Sequence, residues 1–123
     1  MIISSMYWIF NMRPTRFYSK QQENTVAKNT DGRVVPNSGA TPFNKGDVLT
    51  NKFLIECKTK VSSSQSFSIR KEWLEKNKEE AFAMGKQYSA LAFNYGPGEP
   101  NYYVLDERTF KQFKEFLEQE EEE

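Results

Sequence analysis

Histidine is missing from this 123-residue chain, and cysteine occurs once, at Cys57. The first absence removes Ser-His-Asp and Cys-His catalysis, a histidine general base and any His-ligated metal site. The second removes an internal disulfide and a cysteine-based zinc cluster. Any hydrolytic chemistry must therefore run on carboxylates, lysine and a hard metal ion. Long apolar runs are also missing. The first eleven residues are apolar but too few to span a bilayer, and they lack the basic leader and small-residue cleavage site of a signal peptide. A single reduced cysteine and no signal make the cytoplasm the expected compartment, with no membrane partner. No internal repeat is present.

What the chain does have is a composition of 37% hydrophobic and 15% aromatic residues, enough for one domain with a core and too short for two. Residues 1–12 form an apolar extension, read as an extra edge strand, a dimer contact or an over-extended start ahead of Met12. Residues 13–117 form the domain, and residues 118–123 an acidic tail expected to be disordered. The formal net charge of zero hides an asymmetry. Five of the seventeen acidic residues lie in the last six positions, leaving twelve against seventeen basic residues over 1–117. That positive body suits a phosphate backbone. The tail is either solvated or a competitor for the basic face.

A helix is expected from Thr15 to Asn29, ended by Asn-Thr-Asp-Gly, and a first strand over Arg33–Pro36. A loop of turn formers with one cation, Lys45, leads into Gly46-Asp47; the hydroxyls of Ser38 and Thr41 and the Lys45 amine suit phosphate contacts, with a plain flexible loop as the competing view. A hairpin follows, with a polar turn over Thr50, Asn51 and Lys52 and a strand from Phe53 to Thr59. Alternation puts Leu54, Glu56 and Lys58 on one face and Phe53, Ile55 and Cys57 on the other. A carboxylate and an ammonium on an apolar strand are costly to bury unless something pairs with them. Mg²⁺, with Mn²⁺ as substitute, would pair with Asp47 and Glu56 and fill its other sites with water and phosphate oxygens, with Lys58 beside it. Cys57 reads as a small buried hydrophobe, with nucleophile as the lesser alternative.

Beyond Lys60 comes a Ser-rich loop containing Ser64, then a long helix from about Ile69 to Lys86 with Ser68 as N-cap. Arg70 and Lys71 sit in its first turn, against the helix dipole, a placement that suits either a ligand phosphate or ordinary surface cations. Strands over Tyr88–Tyr95 and Tyr102–Leu105 flank a Gly-Pro-rich turn, and an amphipathic helix over Arg108–Leu117 closes the chain. The expected class is α/β, a mixed central sheet flanked by helices.

Gly46-Asp47 followed, nine positions after Asp47, by Glu56-Cys57-Lys58 resembles the PD-(D/E)XK nuclease superfamily, although Gly46 stands where that family usually has proline. With the Ser-Gly loop, the Glu-Cys-Lys-Thr segment, the Ser-rich loop and a helix containing Glu-Ala, residues 15–106 are similar to archaeal-type and phage Holliday-junction resolvases. The resemblance implies a restriction-endonuclease-like core, a Mg²⁺-dependent endonuclease and branched DNA as substrate, cut by a homodimer. It also implies that Glu23 joins Asp47 and Glu56 at the metal, that the backbone carbonyl of Cys57 contributes, and that Ser38 assists catalysis. Lys45, Thr41, Lys60, Ser64, Arg70 and Lys71 would contact DNA. A solvated helix carboxylate is the competing view of Glu23. A non-catalytic nucleic-acid-binding module, another phage-type nuclease and a small structural protein are the competing views of the whole.

Overall fold

The computed structural model describes residues 15–36 and 47–122, with side chains through Gln119. The N-terminal extension and the loop bearing Ser38, Thr41 and Lys45 lie outside the described residues. In chain order the elements are α1 (Thr15–Asn29), β1 (Arg33–Val34), β2 (Val48–Leu49), β3 (Phe53–Lys58), α2 (Lys71–Ala83), β4 (Tyr88–Phe93), β5 (Tyr102–Val104) and α3 (Glu107–Glu122). The strands form one sheet in the order β1-β2-β3-β4-β5. All neighbours are antiparallel except β3 and β4. A parallel pair needs a crossover, and α2 supplies it. The mixed sheet flanked by helices expected from the sequence is what the chain adopts.

Period-two alternation on β3 divides the core into two. Ile55 joins Val48, Ala90 and Ala92 under Val26 and Ala27 of α1, with Phe53, Cys57 and Leu105 packed alongside. On the other face Leu54 joins Leu49 and Val35 under Ala81 of α2, with Met84 alongside. Fully burying a side chain such as Leu54, which has no exposed surface, contributes about 1.5–3 kcal/mol. The β2–β3 turn closes through Thr50, whose N–H donates to the Phe53 carbonyl and whose hydroxyl accepts from the Phe53 N–H, both at 3.0 Å. Gly32 permits the α1–β1 turn to lie against β2: a Cβ there would meet Val48 Cγ1 at 2.7 Å and the Leu49 carbonyl at 2.9 Å.

Strands β1, β3, β4 and β5 stop one or two residues short of the sequence reading, and both ends of α2 and α3 differ from it. Helix α2 begins at Lys71 with Arg70 as an N-cap lacking any side-chain cap bond, so Ser68 does not cap it. The preceding loop is held elsewhere, by Phe67 against Phe93 (ring centroids 4.9 Å apart) and by the Lys60 amine on the Ser66 carbonyl (2.7 Å). The same helix stops at Ala83 rather than Lys86. Gly85 adopts φ +72° and donates to the Phe82 carbonyl, while Lys86 N–H donates to the Ala81 carbonyl, the paired bonds of a Schellman end. Helix α3 starts earlier and continues to Glu122, so the acidic end expected to be disordered is helical through that residue. Asp106 fixes its start by accepting from the Thr109 N–H at 2.8 Å, and hydrogen bonding to the Thr109 side chain and then to this N–H holds the Asp106 carboxyl below its usual pKa. Glutamate is a good helix former, which suits the helix to run on through residues 118–122 although its apolar stripe ends at Leu117.

Candidate active site

The β2–β3 register places the first pair of acids. Val48 lies opposite Ile55 and Leu49 opposite Leu54. One step outward the same register brings Asp47 opposite Glu56, on the face that Leu49 and Leu54 turn toward α2. Both acids are buried, at 3% and 6% exposure. Helix α2 brings Glu80 to the same face, next to the buried Ala81. Asp47 Oδ2, Glu56 Oε2 and Glu80 Oε2 are all buried and have no hydrogen-bond partner. Lys58 stands beside them, its Nζ 3.3 Å from Glu56 Oε1 and 4.5 Å from the centre of the Trp73 ring.

Negative charge therefore exceeds positive charge in a poorly solvated place. Asp47 responds most: burial, the charges of Glu56 and Glu80, and a smaller push from Glu23 raise its pKa to about 8 against the pull of Lys58. Glu80 is raised too, by burial and then by Glu56, with Lys76 opposing. Orphaned carboxylate oxygens of this kind are what a hard divalent cation takes as ligands, so the donor set fits Mg²⁺. Among the described residues, no set of three or more acidic, cysteine or histidine side chains is arranged to hold a metal ion. Mg²⁺, however, uses one or two carboxylates and keeps water and phosphate oxygens for its other positions.

The structure places the other sequence candidates as follows. Glu23 is buried on α1 and bound by Arg16, with Nη1 at 2.7 and 3.0 Å from its two oxygens; burial raises its pKa while Arg16 lowers it. It reaches Asp47 and Cys57 as a charge, and it is not a solvated surface acid. Cys57 packs its side chain on the α1 face, where burial and then the charges of Glu23, Asp47 and Glu56 push the thiol pKa up. A neutral thiol is a poor nucleophile. The Lys60 amine donates to Ser64 Oγ at 3.1 Å and lies 5.6 Å from the centre of the Phe67 ring, so these two residues brace their own loop. Arg70 and Lys71 stay exposed at the start of α2, near Glu72 and Glu75 at 3.4 and 3.5 Å.

Sequence reasoning missed Glu80, Gln22 and Asn77. Buried Gln22 donates from Nε2 to the carbonyls of Lys58 (2.8 Å) and Ala92 (3.3 Å) and to Asn101 Oδ1 (3.1 Å), tying α1 to the end of β3. Asn77 ties α2 to the sheet through the Ala90 carbonyl at 2.9 Å. A signal was present: Asn77 falls on the Trp73-Ala81-Met84 stripe of α2, and a polar residue on an apolar stripe marks a buried bond.

Comparison of the chain with protein-family models, curated proteins and solved structures finds no match. No helix among the described residues is long and apolar enough to cross a membrane.

Proposed function

We propose that this chain is a Mg²⁺-dependent endodeoxyribonuclease of the PD-(D/E)XK kind, with a restriction-endonuclease-like core. The observation that carries the reading is the trio of buried, unpartnered carboxylate oxygens on Asp47, Glu56 and Glu80 beside the Lys58 amine. Asp47 and Glu56 would hold the ion, with Glu23 reached after release from Arg16 and Cys57 through its carbonyl alone. When bound, the ion supplies charge neutralisation at the scissile phosphate and acidifies water. Lys58, oriented by Glu56 and Trp73, holds a proton at Nζ and faces the attacking water or the phosphate oxygen. Gln22 keeps the Lys58 backbone in place from the α1 side.

The substrate in this proposal is a four-way DNA junction, and two symmetric nicks require a homodimer; Mn²⁺ replaces Mg²⁺, and the setting is cytoplasmic. The basic excess over residues 1–117 supports a DNA substrate. The ion pairs Arg16–Glu23 and Lys58–Glu56 favour the second reading, a non-catalytic DNA-binding module in which the acids only pair with cations. An end-labelled four-way junction and a linear duplex of the same arm sequence, each with Mg²⁺ or EDTA, separate these. Paired symmetric nicks in the junction alone support the resolvase. Cutting of both keeps the nuclease and removes the resolvase, and tight binding without cutting supports the module.

A further inference from the structure

Lys58 heads a row of rings that the nuclease reading leaves without a role. The parallel register sets Lys58 beside Phe93, and the antiparallel register sets Phe93 beside Tyr102, so one amine and two rings are direct neighbours across β3, β4 and β5. The Phe93 and Tyr102 rings stack with centroids 5.7 Å apart, and Tyr95 stands edge-on to both, at 5.5 and 5.7 Å. Phe67 adds to the row from the loop before α2, 4.9 Å from Phe93. Trp73 closes the inner end under the Lys58 amine.

Core packing does not account for the row. Its outer member, Tyr102, is 51% exposed on the edge strand, and Phe67, Trp73, Phe93 and Tyr95 are only half-buried. Partly open rings beside the Lys58 amine match single-stranded nucleic acid. Every base offers a π-face for stacking, while the Lys58 amine meets a backbone phosphate. A paired duplex keeps its base faces stacked inside and has none to offer. Strands lie about 4.8 Å apart, so the row reaches on the order of 10 Å from the lysine, toward the bases next to a phosphate held there.

We propose that this row is a platform for unpaired DNA bases flanking the phosphate at Lys58, so that bases unpaired at the branch point of the junction strengthen its binding. The placement beside the cut rests on the nuclease reading; the platform itself is tested without cleavage. Fluorescence anisotropy in EDTA, with the full chain and a labelled oligo-dT strand or a duplex of equal length, compares wild type, Tyr102→Ala and Tyr102→Phe. Tighter binding of the single strand, weakened on the order of tenfold by Tyr102→Ala and retained by Tyr102→Phe, with duplex binding unchanged, is the expected result. Equal single-strand affinity of wild type and a folded Tyr102→Ala variant overturns the platform, as does a wild-type preference for duplex. Because metal is excluded, absence of Mg²⁺-dependent cutting counts against the nuclease reading alone.

Discussion

Replacing Asp47 with Asn removes the charge that the fold tolerates least, and the sign of the effect depends on pH. The Asp47 carboxyl has a pKa of about 8 folded against 3.8 as the unperturbed group. Between those values the folded chain holds a proton that the unfolded chain has lost. Stability from this group is therefore complete below about pH 4 and falls as pH rises to about 8. Each unit is worth about 1.4 kcal/mol, so the whole loss is on the order of 5 kcal/mol. Asn carries no charge but brings two donors, and leaving a donor unmet costs about 1–3 kcal/mol. Asp47→Asn should thus stabilise the metal-free protein by roughly 2–4 kcal/mol above about pH 8, on the order of 10 °C in Tm, and give no gain near pH 5. Added Mg²⁺ should close most of that gap, since a ligand at a hundredfold its Kd stabilises wild type by about 2.7 kcal/mol and the variant has lost a ligand oxygen. Thermal melts of both proteins across pH, with EDTA and then with Mg²⁺, read all of this. A stability difference that does not change between about pH 5 and pH 9 would refute the reasoning, because Asp47 would then be an ordinary solvated acid.

Other residues give independent checks. Gln22→Ala removes three donor contacts from a buried amide and leaves the Lys58 and Ala92 carbonyls short of a partner, so chemical denaturation should show a loss of about 1–3 kcal/mol. Asp106→Ala removes the α3 cap and should cost about 0.5–2 kcal/mol by the same measurement. The depressed Asp106 pKa adds a pH signature: its stabilisation is present above the unfolded carboxylate pKa and is lost as pH falls through the lower folded value, so the wild-type advantage over Asp106→Ala should vanish in acid. Light scattering on a junction complex checks the dimer, and a strictly monomeric species counts against it.

Much of the fold was legible because β3 and the helices obey simple periods. Alternation along Phe53–Lys58 sorted Leu54, Glu56 and Lys58 from Phe53, Ile55 and Cys57, and the two core clusters divide Leu54 from Phe53, Ile55 and Cys57 along the same line. The Asp47–Glu56 pairing followed from a short hairpin. Helix ends were harder, since they are set by single bonds: the Asp106 cap and the Gly85 turn outweighed the apolar pattern, and a loop anchored by Phe67 took Ser68 away from its expected cap position. Glu80 was hidden for a different reason. Its neighbourhood with Asp47 and Glu56 depends on how α2 lies across the sheet, which no local spacing encodes. The Arg16 partner of Glu23, two turns earlier on the same face of α1, is a contact that a search for metal ligands passes over.

The most direct test of the proposed chemistry is cleavage of four-way-junction DNA by wild type and by Glu56→Gln, with Mg²⁺ and with EDTA, alongside circular dichroism to establish that the variant is folded. Wild type should cut the junction with Mg²⁺ and not in EDTA, and a folded Glu56→Gln chain should not cut it. Cutting by the folded variant at the wild-type rate, or cutting that survives EDTA, would contradict the proposed chemistry.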